Sequence, residues 1–174
     1  MGQLLYTEQK ASQEITASLK QKVQDLQDLS LQMPQVEVVT EHTLKPGIYE
    51  RKMIVPPWTL ITGAEHKTPY KVRLEKGTIA VTMDDGVKIL TAPCEFDAPA
   101  GIQRAGQVFE NEVVWVDVYD NPDGCTDIAA IEERLYVIPK CGLLSNRIDL
   151  QLENKQNKAD KLGLVEQGET SWQQ

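Results

Sequence analysis

The stretch EHKTPYKVRLEKGTIAV, residues 65–81, decides the fold. Within it Tyr70, Val72 and Leu74 alternate with Lys71, Arg73 and Glu75, the period of two that a half-buried strand requires. Gly77 marks a bend, and TIAVTM (78–83) begins another strand. DDG (84–86) then falls between apolar runs, the strongest hairpin signal in the chain, and VKILTAPCEF (87–96) returns. Working outward, VEVVTEH (36–42), IYERKMIV (48–55) after the turn KPG, PPWTLITGAEH (56–66) and AGQVFENEVVWVDVYD (105–120) keep the same texture. Pro56 and Pro57 stand at the mouth of a strand, where no ladder donor is needed. Seven or eight short strands without intervening helices mean a sandwich or a barrel.

The flanks read differently. Residues 7–33 are expected to form one helix, with Ile15, Leu19, Val23 and Leu26 on one face and Pro34 stopping it. So narrow an apolar stripe needs a partner, either its own barrel or a second copy of itself. GCTDIAAIEERLYV (124–137) predicts a short amphipathic helix capped by Thr126 or Asp127, with Ile128, Ile131 and Leu135 on one face. After Cys141 the chain is rich in Gln, Asn, Lys and Glu and reads as a polar arm or tail. The expected division is therefore an N-terminal helix or oligomerisation arm (1–34), a barrel (35–122), a short helix with a closing segment (123–140) and the polar arm (141–174).

A length of 174 residues allows one domain with extensions. The formal charge of −8 opposes a nucleic-acid or membrane-surface partner, since both want a positive field. No leader or apolar span is visible, and Cys94, Cys125 and Cys141 show no CxxC spacing, so free thiols in a reducing cytoplasm are expected. Phosphate-binding, nucleophile-elbow and zinc-protease motifs are missing from the sequence.

The middle half of the chain resembles the cupins. That family's first motif runs H-x-H, three or four residues, Glu, six residues, Gly; its second runs Pro-x-Gly, two residues, His. Here three residues separate His66 from Tyr70 and six separate Tyr70 from Gly77, while PAGIQR gives Pro99, Gly101 and Arg104. On this pattern Ala64 replaces the first His, Tyr70 the Glu and Arg104 the last His, leaving His66 alone of four ligands. Trp58 and Pro93 stand where the leading glycines would be. LEKGTIAV and DDGVKILTAPCEFDAPAGIQRAG are also similar in texture to the small single-domain cupins of bacteriophage and prophage genomes.

The resemblance implies an all-β fold: a cupin-type double-stranded β-helix, or jelly-roll barrel, with an N-terminal amphipathic helix, a short C-terminal helix and a polar C-terminal arm. The substituted ligand positions imply no metal and no cofactor, because Ala offers no lone pair and Arg sets a cation in the ion's own space. The implied site is His66, Tyr70 and Arg104 at the barrel mouth, with Trp115 and Tyr119 as a candidate lining. Along that last strand either Trp115 and Tyr119 or the valines between them face inward. A guanidinium beside a phenol and an imidazole suits a carboxylate or phosphate. The expected function is metal-independent binding of a small anionic, nucleotide-like molecule by a homo-oligomer without catalysis, in a phage setting by sequestering a host immune signal. Its rivals are a structural or assembly protein, and a metal-dependent cupin enzyme with atypical ligands. Arg104 has its own competing account, a structural bridge to Glu95 or Asp97. Lys67, Lys71, Arg73 and Lys76 read as a solvated face, since Glu65 and Glu75 flank them.

Overall fold

The computed structural model describes residues 2–137, without the side chains of residues 2–9, 11, 12 and 16. The expected polar arm and Cys141 lie outside the described residues. Helix α1 (Gly2–Ser30) starts before the expected residue 7 and gives way to a turn ahead of Pro34, where the Gln35 side-chain amide donates to the Ser30 carbonyl. The strands follow as β1 (Val39–Lys45), β2 (Gly47–Val55), β3 (Leu60–Thr62), β4 (Glu65–His66), β5 (Tyr70–Lys76), β6 (Thr78–Met83), β7 (Gly86–Thr91), β8 (Cys94–Ala98), β9 (Ala105–Val108) and β10 (Val113–Asn121). Helix α2 (Ile128–Leu135) and β11 (Tyr136–Val137) complete the described chain.

Two antiparallel sheets carry the fold, with strand orders β1-β2-β10-β5-β8 and β3-β9-β6-β7. Setting β1 aside, each sheet takes four strands, and apart from the β6–β7 hairpin neighbours within a sheet come from distant parts of the chain. That interleaving is the jelly roll, two Greek keys folded face to face. The expected all-β jelly-roll architecture, with an N-terminal helix and a short C-terminal helix, is what the chain adopts. A small third pairing, β4 with β11, closes one side.

Parity sets the interior. In β5, Tyr70, Val72 and Leu74 are buried while Lys71 and Glu75 are exposed. In β10, Val113, Trp115, Asp117, Tyr119 and Asn121 turn inward, so the Trp115 and Tyr119 set lines the barrel. These residues pack with Tyr49, Val55, Ile79, Val81, Val108, Ile131 and Leu135 in one core. The lysines and arginines of the quoted stretch take outward partners: Lys71 pairs with Glu95 at 2.9 Å and Arg73 with Glu75 at 2.9 Å.

Helix α2 begins where sequence placed it: the Asp127 carboxylate accepts from the Ala129 and Ala130 amides. Its inner face inserts Ile131 and Leu135 into the core, and Glu132 with them. The later half of α1 lies on its own barrel: Val23 is 3% exposed, Lys20 reaches Glu65 at 2.7 Å and the Gln103 amide donates to Gln27. Among the described residues no helix is long and apolar enough to cross a membrane.

Candidate binding site at the barrel mouth

His66, Tyr70 and Arg104 come together. His66 ends β4, held across from Tyr136 of β11, and Tyr70 opens β5 opposite Ala98 of β8. Their rings lie face to face, centroids 3.8 Å apart and 6° from parallel. Arg104 precedes β9, where its carbonyl accepts from the Gly63 amide at 2.8 Å. Its Nη1 donates to the Tyr70 hydroxyl at 3.1 Å, and the guanidinium carbon lies 5.7 Å from the Phe96 ring centroid. The Arg104 side chain is half-buried, yet its Nε is sealed and has no hydrogen-bond partner among the described residues. An orphaned buried donor costs about 1–3 kcal/mol, so this guanidinium holds an unmet demand for an acceptor.

The competing structural bridge is not formed. Glu95 and Asp97 alternate with Cys94, Phe96 and Ala98, so they face outward, where both meet Lys71. Arg104 lies on the inner side and has no ion pair with either of them.

Burial is the first influence on His66. Together with the positive charges of Arg104 and Arg51 it holds the imidazole down to about 3, which keeps the ring neutral. The Tyr70 hydroxyl is raised by burial and by the Asp117 charge, against the pull of Arg104, so it stays a phenol. His66 Nδ1 shares a hydrogen bond with the Tyr119 hydroxyl at 2.8 Å, and that hydroxyl meets the Tyr136 hydroxyl at 2.9 Å.

Trp115 and Tyr119 point inward, but other rings already take their faces. Tyr119 stacks on Tyr49 and on Tyr70, with centroids 5.9 and 5.3 Å away. Trp115 meets the edge of Phe96 at 6.0 Å and donates its indole N–H to Asp117 at 2.7 Å. They build the wall behind Tyr70 and His66.

Sequence reasoning missed the charges deeper in the barrel. Asp117 of β10 sits directly across from Arg51 of β2, and both are buried with Glu132 of α2. Arg51 Nε is 3.9 Å from Glu132, within ion-pair reach but too long for a hydrogen bond, and its Nη1 donates to the Met53 sulfur. Burial raises Asp117 to about 6 despite the opposing influence of Arg51, the Trp115 hydrogen bond and Arg104. The signal was present: Asp117 shares the parity of Trp115 and Tyr119, so an inward pair predicts an inward carboxylate.

Among the described residues no three His, Cys, Asp or Glu side chains gather as ligands for an ion. The four motif positions hold Ala64, His66, Tyr70 and Arg104, and the His66 Nδ1 is engaged by Tyr119. This set does not fit a divalent ion.

No protein-family model matches the chain, and no curated protein does. Solved structures similar to it include cupin domains. One from Bordetella pertussis is 15% identical, with a TM-score of 0.42 over 51% of this chain and 98% of its own. The cupin domain of an XRE-family transcriptional regulator from Enterobacter cloacae is 13% identical, with a TM-score of 0.43 over 49% and 97%. An RmlC-like cupin family protein with a double-stranded β-helix fold, from Methanocaldococcus jannaschii, is 12% identical, with a TM-score of 0.42 over 50% and 84%. These likenesses carry no argument about the site, and the fold stands on the strand pairings themselves.

Proposed function

We propose that this cupin-type barrel binds a small anionic molecule at its mouth, without a metal and without converting it. The observation that carries the reading is Arg104, turned to the inner side and anchored on Tyr70, with a buried Nε that lacks an acceptor. A fixed cation with an unmet donor, beside a neutral imidazole stacked on a phenol, is an anion receptor. Catalysis by the same groups lacks support: an imidazole held down to about 3 is a weak base, and the phenols beside it are pushed upward and hold their protons. The nucleotide-like form of the ligand, and a phage role in withdrawing a host signal, rest on the sequence resemblance.

Thermal unfolding with a panel of nucleotides, cyclic nucleotides and small organic anions tests the reading. Bound ligand stabilises by mass action, about 2.7 kcal/mol at one hundred times Kd, which raises Tm by several degrees. At least one anion is expected to do so with the wild type and to lose its effect in Arg104→Ala. If no anion shifts Tm, or Arg104→Ala responds like the wild type, the reading falls.

An assembly role has its own observation. Val87 and Ile89 share the outer face of β7 and are 70% and 67% exposed, an uncommon display for branched apolar residues on a strand. Replacing both with Ser and comparing sedimentation with the wild type separates the two readings, since anion binding at Arg104 does not involve that face.

A further inference from the structure

We propose that the ligand of this mouth is a compact monocarboxylate, gripped by the side edge of the Arg104 guanidinium, and not a phosphate or nucleotide. The inference rests on the anion-binding reading above and narrows it. Three independent features of the site lead to it.

The first is which edge of the guanidinium is committed. A guanidinium presents five donors in a rigid plane, and Nη2 shares its side edge with Nε while Nη1 lies on the other side. Nη1 is the nitrogen that Tyr70 holds, at 3.1 Å, and Nε is the one without a partner. Tyr70 therefore fixes the plane, and the Nε–Nη2 edge is the one without a protein acceptor; Nε is covered in this structure, so a ligand that takes both donors must displace what covers it. Two parallel N–H groups on one edge match the two oxygens of a planar carboxylate.

The second is the charge available. Arg104 is the one cation among the three mouth residues, because His66 beside it is neutral and Tyr70 is a phenol. Arg51, the other interior arginine, also has an Nε without a hydrogen-bond acceptor, but its charge already faces Asp117 and Glu132. One positive charge balances one carboxylate. A phosphate monoester carries about −1.5 to −2 at neutral pH, and the excess would lie near the buried Asp117 carboxyl.

The third is the room for an aromatic base. Tyr119 gives both its faces to Tyr49 and Tyr70, and Tyr70 gives a face to His66 at 3.8 Å. Trp115 is 7% exposed, with its indole N–H spent on Asp117. Among Tyr70, Trp115 and Tyr119 a nucleobase finds no open face to stack on, whereas a small acid needs none.

The test uses the full-length protein and named probes: benzoate and pyruvate as carboxylates, inorganic phosphate and adenosine 5′-monophosphate as phosphates, at matched ionic strength. Tm and calorimetric titration are read for the wild type, Arg104→Lys and Tyr70→Phe. At least one carboxylate is expected to raise Tm saturably, with both phosphates at least tenfold weaker. Arg104→Lys keeps the charge but lacks the edge, so it is expected to lose at least tenfold in carboxylate affinity while its ligand-free Tm shows that it folds. Tyr70→Phe frees the plane and is expected to weaken binding several-fold. A phosphate or nucleotide that binds as well as the carboxylates overturns the inference and leaves the anion reading standing. Undiminished carboxylate binding by Arg104→Lys overturns the edge assignment. No response to any of the four probes overturns the inference, and an equally silent wider panel then removes the anion reading too.

Discussion

At the scale of single residues, two buried acids and bases in the barrel pull stability in opposite directions as pH changes. His66 is held down to about 3 by burial, so below its ordinary 6.5 the unfolded chain takes up a proton that the folded chain refuses. Its contribution is present above 6.5 and is lost as pH falls toward 3. Asp117 is raised to about 6, so between 3.8 and 6 the folded chain keeps a proton that the unfolded chain releases. Its contribution is present below 3.8 and is lost as pH rises through 6. Acidifying from pH 7 to 5 therefore costs roughly 2 kcal/mol through His66 and returns roughly 1 kcal/mol through Asp117. His66→Gln is expected to remove the acid-side loss, so that its Tm no longer falls between pH 6.5 and 5. Asp117→Asn is expected to steepen that same loss. Calorimetry of the three proteins at pH 5, 6 and 7 checks both signs, and parallel wild-type and His66→Gln curves would refute a neutral, buried His66. Of this residue-level picture, sequence pattern delivered His66, Tyr70 and Arg104 because motif spacing and strand parity point at single positions. It did not deliver Arg51 or Glu132, because cross-strand register and the docking of α2 decide their burial.

At the scale of elements, what alternation can report was legible, and what is shorter than its period was not. Strands β5, β6 and β8 each show about two alternations, β7 follows from the DDG turn, and the boundaries fall close to where the residues put them. Strands β3, β4 and β11 have three, two and two residues, too few to display a period, and they exist through pairing with β9 and with one another. Gly77, read as a bend, joins β5 to β6 at a φ of +84°. A Cβ there would collide with the Glu112 carbonyl oxygen and lie 2.9 Å from a methyl of Val113. Gly47 has a similar φ of +74° but nothing within 4 Å of its would-be Cβ. Gly77→Ala is expected to lose about 3 kcal/mol or more, from left-handed strain plus displaced backbone, while Gly47→Ala loses about 1–2 kcal/mol from strain alone. Equal losses in urea unfolding would show that the joint opens without cost. Asp127→Ala, which removes the cap of α2, is expected to lose about 1 kcal/mol in the same measurement.

At the scale of the whole molecule, the remaining question is what α1 does, and its two halves answer separately. Sequence left its stripe between the protein's own barrel and a second copy, because a periodic apolar face names no partner. The later half is bound to its own barrel through Val23, Lys20 and Gln27. The described side chains of the earlier half, from Lys10 to Ser18, are all exposed, and Ile15 continues the stripe there at 55% exposure. One helix thus carries an occupied face and an unoccupied continuation of it. Val23→Ala removes two buried methyl groups, and a loss of about 1.5 kcal/mol is expected, or roughly 4 °C in Tm, independent of protein concentration. Ile15 is mostly exposed in the monomer, and Ile15→Asp is expected to leave Tm at low concentration nearly unchanged. If the helix also organises a homo-oligomer, as the sequence leads us to expect, Ile15→Asp lowers the sedimentation coefficient toward that of a single chain while Val23→Ala does not. Wild-type sedimentation by Ile15→Asp would confine α1 to bracing its own barrel, and a concentration-dependent Tm in Val23→Ala would instead mean that folding and assembly are one process.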